Sequence, residues 1–232
     1  MQDYSTFIKD TFDRYKCKER FEPLKCIPVY GDEGKLCAYL RPITADFKTT
    51  LPECPMLLTK WREENPTIST GTFEPTVERT ENWLSQYVIG RDDRLLFLIM
   101  CLNGGFLGHI GFSSFDFAEK SCEIDAVLRG VKNLLPGLMT FSMHSLVYWG
   151  IRELHLEKIL LKVFSDNRQA IRFYEKFGFC KVGEIPLVLV KASDEEKWEI
   201  APEGCGEEAG RYYTEMRLDI DRWKEQFLIK GI

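Results

Sequence analysis

A strand that runs almost directly into a short amphipathic helix constrains the fold of this chain more than any other sequence feature. KILLKVF (158–164) is rich in apolar residues and predicts a strand that is buried on both faces. AIRFYEKF (170–177) predicts a helix, and Gly178 suits the left-handed position that follows many helices. A strand–helix unit of this kind indicates an α/β domain.

Antiparallel strands are predicted upstream of this unit. RLLFLIMCL (94–102) and FLGHIGFSSF (106–115) flank the turn Asn103-Gly104-Gly105. CEIDAVL (122–128) predicts a third strand, because its residues alternate between two faces. One face holds Cys122, Ile124, Ala126 and Leu128, and the other holds Glu123, Asp125 and Val127. A helix from Pro136 to about residue 154 and strands at 180–190 and 211–219 complete a mixed α/β layout.

Residues 1–34 are interpreted as an N-terminal extension. KLCAYLRPIT, which starts at Lys35, predicts the strand that opens the main domain. Because no repeat or low-complexity linker interrupts the chain, residues 35–232 are interpreted as a single domain with a polar excursion at 192–210. Shorter helices are predicted at 5–16, 55–64 and 76–89.

Composition and charge exclude several classes of protein. The chain has 232 residues and a net charge of −5 with no basic stripe, which excludes a general nucleic-acid binder. The N-terminal sequence lacks the layout of a signal peptide, and the longest apolar run (95–102) is too short to span a bilayer. We therefore expect a soluble cytoplasmic protein without a membrane partner. Its eight cysteines form no C-x-x-C pair and only three histidines are present, so reduced structural thiols and no metal site are expected.

One segment of the chain resembles a known family. SDNRQAIRFYEKFGF (165–179), together with the strand before it, resembles the C-terminal signature of the GNAT superfamily of acyl-CoA-dependent N-acyltransferases. WGIRELHLEKILLKVFSDN (149–167) is similar to the helix, loop and strand that lead into that signature. The resemblance covers roughly residues 35–190 and implies a mixed α/β sheet, mostly antiparallel, with a splayed parallel pair.

The start of the helix near Pro136 is the candidate phosphate site. The first turn of a helix presents unpaired N–H groups at the positive end of the helix dipole, which favours an anion; an ordinary solvent-capped helix start is the alternative. The resemblance implies acetyl-CoA as co-substrate, with pantetheine paired to the third strand and held by an asparagine after the next one. The residues expected to contact acetyl-CoA are Val127, Leu128, Arg129, Lys132, Leu135, Gly137, Leu138, Met139 and Asn167.

Two proton transfers need side chains. The attacking amine must lose a proton, and Glu123 and Asp125 share the strand face next to the expected gap. Glu123 is preferred because its position matches a base in several members of the family, and a solvated strand face is the alternative. The departing thiolate needs a proton, and Tyr174 matches the tyrosine that the family commonly uses as general acid, with a core aromatic as the alternative.

Fewer sequence features indicate which residues bind the acceptor. Trp61 and Arg62 lie in the early helical region that walls the acceptor pocket in the family, and Arg62 is a candidate for holding a phosphate or carboxylate, with a surface arginine as the alternative. His109 is interpreted as a structural histidine. The resemblance implies an N-acetyltransferase for a primary amine of a small molecule, and a monomer or homodimer is expected. Because the front half resembles bacterial aminosugar and ribosomal-protein acetyltransferases, an amino sugar, free or nucleotide-linked, is favoured. Protein N-terminal acetylation and a non-catalytic acyl-CoA-binding module are the alternatives.

Overall fold

The computed structural model describes residues 2–19, 21–132, 135–191, 196–202, 204 and 209–227. The helices in these ranges are α1 (Tyr4–Tyr15), α2 (Phe47–Thr50), α3 (Cys54–Glu64), α4 (Val77–Trp83), α5 (Leu138–Glu153), α6 (Arg168–Phe177) and α7 (Ile220–Phe227). The strands are β1 (Ile27–Tyr30), β2 (Leu36–Pro42), β3 (Gly71–Thr72), β4 (Leu95–Cys101), β5 (Phe106–Asp116), β6 (Ser121–Arg129), β7 (Lys158–Phe164), β8 (Phe179–Lys191), β9 (Glu196–Ile200) and β10 (Arg211–Leu218). Helix α4 continues as a π-helical segment, Leu84–Ile89.

The ten strands form one sheet in the order β1-β2-β4-β5-β6-β7-β10-β8-β9-β3. Strands β6 and β7 are paired in parallel, and the other pairs are antiparallel. This architecture confirms the mixed α/β fold with a mostly antiparallel sheet and one parallel pair.

The parallel pair separates soon after it begins. Its register runs only from Ser121 opposite Lys158 to Glu123 opposite Leu160, so β6 has no β7 partner beyond Glu123. The side of β6 that faces β7 is therefore open for the rest of the strand.

Just beyond the end of this parallel pairing, a β-bulge in β6 moves the following side chains to the opposite faces of the strand. Gly111 lies opposite Asp125 and His109 lies opposite Leu128, so two residues of β6 oppose one residue of β5. Ala126, within the bulge, has a φ of 52°. As a result Ala126 and Leu128 pack in a different cluster from Cys122 and Ile124, and the predicted face assignment is wrong beyond Asp125.

Two hydrophobic clusters cover the two faces of the sheet. Alternate residues of β4 divide between them, with Phe97 in the larger cluster and Leu98 in the smaller one. The larger cluster packs α1, α5, α6 and α7 against the sheet, and the smaller one packs the segment from α2 to the π-helical turns. Ile8 and Phe12 of α1 are fully buried in the larger cluster, so the N-terminal extension contributes to the same core.

Several sequence expectations need correction in detail. Strand β7 is buried along one face, while Leu160 and Lys162 on the other are half-buried, because β7 lies beside the gap left by β6. Helix α5 begins at Leu138, with Gly137 before it, rather than at Pro136. The excursion at 192–210 contains β9, which pairs with β8, and residues 192–195, 203 and 205–208 lie outside the described residues. Among the helices described, none has the length and apolar character that crossing a bilayer requires.

Candidate functional site

A cleft of about 740 Å³ lies where β6 and β7 separate. One side is formed by β6, β7 and α6, and the other by α3, α4, β3 and β9. The sequence-predicted residues that line it are Arg62, Asp125, Val127, Leu128, Asn167 and Tyr174. The cleft has the size of a small-molecule site, and it joins the predicted donor residues to the predicted acceptor region.

The open edge of β6 supplies backbone groups to the cleft. A Cβ built on Gly108 of β5 would lie 2.2 Å from the Leu128 carbonyl oxygen, so that carbonyl points toward β5 and away from the gap. Because successive residues of a strand direct their N–H and C=O groups to opposite sides, the groups of Val127 and Arg129 point toward the gap. An extended ligand arm can thus pair with Val127 and Arg129, whereas the predicted pairing by the backbone of Leu128 is wrong.

The N-terminus of α5 fits an anion. Gly137 precedes the helix with a φ of 81° and no side chain caps the first turn. The Leu138 N–H donates to the Leu135 carbonyl oxygen (3.2 Å), so Met139 is the next residue whose amide can face a ligand; Leu138 is buried and Met139 half-buried. Because a Cβ on Gly137 would meet Phe141 at 3.0 Å in an unfavourable backbone conformation, this position requires glycine. An uncapped first turn after a glycine fits the pyrophosphate of CoA.

The loop before α5 is held by Arg129. The guanidinium of Arg129 donates to the Val131 carbonyl oxygen (3.1 Å) and to the Lys132 carbonyl oxygen. The Arg129 guanidinium therefore holds the backbone of this loop. Lys132 and Leu135 are exposed on the same loop, where their side chains are accessible to a ligand.

Trp61 does not line the cleft. Its side chain is 2 % exposed and packs in the smaller hydrophobic cluster. A Cβ on Gly130, which directly follows β6, would lie 2.0 Å from a ring atom of Trp61. Trp61 thus supports the chain at the start of the α5 loop, and its expected place in the acceptor wall is wrong.

The two candidate carboxylates are both ion-paired, but they differ in position. Glu123 accepts from Lys162 Nζ (2.6 Å) at the last residue pair of the β6–β7 ladder, and it does not line the cleft. Asp125 lines the cleft, accepts from Arg94 Nη2, and also accepts from the Ala126 N–H (2.7 Å). The geometry therefore reverses the sequence preference for Glu123 over Asp125.

Tyr174 and Asn167 both reach the cleft from α6. Burial, and secondarily the charge of Asp125, raise the pKa of Tyr174 above its usual range, so the phenol stays protonated at neutral pH. The Tyr174 hydroxyl makes no hydrogen bond to any residue that the structure describes. The Asn167 Oδ1 atom caps α6 by accepting from the Ala170 N–H (3.1 Å), which leaves the Nδ2 group to donate toward the cleft.

His109 is a cleft residue that the sequence analysis placed in a structural role. Its Nδ1 lies 2.5 Å from the Ala126 carbonyl oxygen, so Nδ1 carries the hydrogen and Nε2 carries the lone pair in the neutral ring. Burial lowers the pKa of His109 to about 4, which keeps the ring neutral at pH 7. The bond joins β5 to the bulge of β6. The local sequence does not predict this bond, because the alternation of residues along β6 does not indicate a bulge.

The acceptor end of the cleft is polar and cationic. Arg62 Nη2 donates to Ser69 Oγ (2.5 Å) and to the Gly71 carbonyl oxygen (3.1 Å), which fixes the segment leading into β3. Arg62 and Arg79 both lie against the ring of Phe73. Strand β3 pairs with β9, a long-range contact that brings Lys197 to this end of the cleft.

Neither a metal-ligand cluster nor a disulfide occurs among the described residues. Within the described ranges, no group of three or more His, Cys, Asp or Glu side chains is placed to hold a metal ion. The seven cysteines in those ranges are free thiols.

Comparisons with known proteins agree with this geometry. A family model described as "Acetyltransferase (GNAT) domain" matches residues 39–180, which is more than half of the chain. No curated protein sequence matches the chain.

Solved structures share the fold at low sequence identity. A probable acetyltransferase of the GNAT family from Chromobacterium violaceum is 17% identical, with a TM-score of 0.61 over 85% of this chain and 88% of that one. A chimera of the Vibrio cholerae spermidine N-acetyltransferase SpeG and hSSAT is 14% identical, with a TM-score of 0.58 over 79% and 96%. A dodecameric spermidine N-acetyltransferase from Vibrio cholerae is 15% identical, with a TM-score of 0.55 over 81% and 95%.

Proposed function

The chain belongs to the GNAT acetyltransferase family, and on that premise we propose that it transfers an acetyl group from acetyl-CoA to a primary amine of a small molecule. The observation that carries the proposal is the cleft between β6 and β7, which runs from the open edge of β6 to an acceptor end lined by α3, α4, β3 and β9. A cleft of about 740 Å³ has the size of a small-molecule site.

The donor side of the proposal rests on four groups. The first turn of α5, which no side chain caps, would bind the pyrophosphate through the amide of Met139, and the groups of Val127 and Arg129 would pair with the pantetheine arm. The Nδ2 group of Asn167 would donate to the same arm. When bound, the thioester supplies an activated acetyl group whose C–S bond breaks as the new C–N bond forms.

The proton transfers are assigned to two side chains of the cleft. Asp125 would take the proton that the acceptor ammonium must lose, directly or through one water, because it is the candidate carboxylate that reaches the cleft. Tyr174 would protonate the departing thiolate, since its raised pKa keeps the hydroxyl hydrogen in place at neutral pH. Glu123 would hold Lys162 at the end of the parallel ladder.

An amino sugar, free or nucleotide-linked, remains the favoured acceptor. Its many hydroxyl groups match the hydrogen-bonding groups of Ser69, Thr70 and Thr80 at the acceptor end. The spermidine N-acetyltransferases among the structural neighbours share only the fold at their level of identity, so they do not favour a polyamine for this chain.

Release of CoA thiol from acetyl-CoA tests the proposal against pooled amino sugars, other small amines and N-terminal peptides. We expect turnover with a small amine and none with peptides, and we expect acetyl-CoA at 100 times its Kd to stabilise the fold by about 2.7 kcal/mol. A thermal shift without turnover on any amine would favour the binding module instead. Turnover restricted to peptides would favour N-terminal acetylation.

We also propose that the protein is a monomer or a homodimer. One structural neighbour is dodecameric, so sedimentation velocity with and without acetyl-CoA is the direct measurement.

A further inference from the structure

The nitrogen of an acceptor amine needs hydrogen-bond acceptors, because it presents three N–H groups as an ammonium and two as a neutral amine. Most polar side chains that line the described part of the cleft are guanidinium, ammonium or hydroxyl groups, which carry hydrogens themselves. Three side chains there offer an acceptor atom without a hydrogen: Asp125, His109 and Asn167. The oxygen of Asn167 already caps α6, so Asp125 and His109 remain for an amine.

Asp125 and His109 bind the two ends of one bulge residue. The Ala126 N–H donates to Asp125 Oδ1 (2.7 Å), and the Ala126 carbonyl oxygen accepts from His109 Nδ1 (2.5 Å). The next residue, Val127, is the one whose backbone would pair with the pantetheine arm. The bulge therefore holds both acceptor side chains beside the place proposed for the thioester.

The imidazole of His109 is fixed, and its distal nitrogen is open. The bond to Ala126 holds Nδ1, and the ring lies 6.0 Å from the ring of Trp61, centroid to centroid. The Nε2 atom makes no hydrogen bond to any residue that the structure describes, and His109 lines the cleft. Burial lowers the pKa of His109 to about 4 against the opposing effect of Asp125, so Nε2 keeps its lone pair at neutral pH.

We propose that His109 Nε2 accepts a hydrogen bond from the nitrogen of the acceptor and that, together with Asp125, it selects a primary amine. This inference rests on the proposed function and names the groups that recognise its substrate. A neutral primary amine donates one N–H to each of the two acceptors and keeps its lone pair for the thioester carbon. A neutral secondary amine has one N–H, so one of the two acceptors loses its partner.

The transfer step balances with His109 neutral throughout. The lone pair of the nitrogen forms the C–N bond, and the electron pair of the C–S bond goes to sulfur. The nitrogen loses two protons, the first through Asp125 before the attack and the second after it. One proton equivalent ends on the thiol by way of Tyr174, and the other goes to solvent. His109 orients the nitrogen and takes no proton.

Two substitutions of His109 separate substrate binding from the structural bond to Ala126. His109→Asn keeps an N–H donor near the position of Nδ1 and loses the Nε2 acceptor, whereas His109→Gln places an amide oxygen near Nε2 and loses the donor to Ala126. We expect kcat/KM for the amine to fall about 10- to 100-fold in His109→Asn, the value of one charged hydrogen bond, and to fall less in His109→Gln. The melting temperature should rank the two variants in the opposite order.

The reverse ranking in activity would overturn the inference. A purely structural histidine predicts that His109→Asn is close to the wild type and that His109→Gln is impaired. The Kd for acetyl-CoA should stay the same in His109→Asn, because other groups hold the donor. His155→Asn is the matched control: His155 is exposed, stacks on Phe7 and lies outside the cleft, so its kcat/KM should equal that of the wild type.

Pairs of amines that differ by one N-methyl group test the selection of a primary amine. The pairs are glucosamine with N-methylglucosamine and ethanolamine with N-methylethanolamine. We expect the wild type to prefer the primary member by at least about tenfold, and His109→Asn to reduce that preference by about tenfold. The methyl group occupies the same space in both proteins, so the change in the ratio isolates the hydrogen bond. An unchanged ratio would overturn the inference.

Nitrogen NMR of protein labelled with ¹⁵N at histidine gives a readout that needs no turnover. The free protein should show His109 with its hydrogen on Nδ1, and His109→Asn assigns that signal. Glucosamine or ethanolamine, added to the protein saturated with CoA, should shift the Nε2 signal. Such a shift without acetylation of any amine would support the inference and contradict the proposed function. Acetylation without a shift, at the same rate in His109→Asn, would leave the proposed function standing and overturn the inference. Absence of both would overturn both.

Discussion

Asp125→Asn is the substitution that tests the assignment of the proton acceptor most directly. The change removes the negative charge and keeps the shape of the side chain. Proton transfer by a positioned side chain accelerates a reaction by roughly 10²-fold or more, so kcat/KM should fall by about that factor, equivalent to ~2.7 kcal/mol of transition-state stabilisation. Binding of acetyl-CoA should not change, because the donor arm is held by other groups.

The structure shows why this variant should remain folded. The side chain of Asp125 is 38% exposed and that of Arg94 is 16% exposed, so loss of the ion pair costs about 1 kcal/mol, which is small beside a typical unfolding free energy of 5–15 kcal/mol. The charge of Asp125 is one cause of the raised pKa of Tyr174, and its removal lowers that pKa. Burial is the larger cause, and it still keeps the phenol protonated at neutral pH.

Glu123→Gln is the matched control. It removes the same charge from the same strand two residues earlier, at a position bound to Lys162 and outside the cleft. The assay is thiol release across the pH range, with a single-turnover measurement to show that acetyl transfer limits the rate. If Glu123→Gln loses most of its kcat/KM and Asp125→Asn keeps that of the wild type, the assignment of Asp125 as the proton acceptor is refuted. If neither substitution changes kcat/KM, the amine loses its proton by a route that uses neither carboxylate.

Three further perturbations follow from the structure. Tyr174→Phe keeps the ring and removes the proton donor, so kcat should fall by ~10²-fold with unchanged melting temperature; an unchanged kcat would return Tyr174 to a packing role. Gly130→Ala would place a Cβ 2.0 Å from Trp61, which should lower stability by about 1–3 kcal/mol in urea unfolding, whereas Gly183→Ala, with its nearest atom at 3.8 Å, should not. Burial lowers the pKa of His144 to about 3. Because the unfolded chain binds a proton there near pH 6.5 and the folded chain does not, stability should fall below pH 6.5 by up to ~1.4 kcal/mol per pH unit, and His144→Gln should flatten that slope.

Local sequence patterns predict the strands and the helix that form the acetyl-CoA side of the cleft. The unit from β7 to Gly178 was predicted because strand composition, helix period and the left-handed glycine all lie within twenty or so neighbouring residues. Gly178 does adopt a φ of 115°. The antiparallel strands β4 and β5 were also predicted, since turn residues and apolar runs again lie side by side in the sequence.

The details of the site depend on contacts that no local pattern contains. The bulge at Ala126 inserts one residue into β6, and a shift of one residue moves every following side chain to the other face. That shift separates Leu128 from its predicted neighbours. Lys197 reaches the acceptor end through the pairing of β3 with β9, two segments that are far apart in the chain. Trp61 was misjudged because an aromatic residue in a helix has the same local signature whether it lines a pocket or supports a loop.

The pairing of β3 with β9 also makes the rim of the cleft the part of the sheet that opens most easily. The ladder consists of Gly71 opposite Lys197 and Thr72 opposite Glu196, with one further bond from the Trp198 N–H to the Thr70 carbonyl oxygen (2.8 Å). A few hydrogen bonds, each worth about 1 kcal/mol, separate the closed rim from an open one, far less than global unfolding requires. The Trp198 amide should therefore exchange its hydrogen with solvent much faster than the Ile99 amide in the middle of β4. Opening of this short ladder would widen the acceptor end of the cleft, and an acceptor bound against β3 and β9 would slow that exchange.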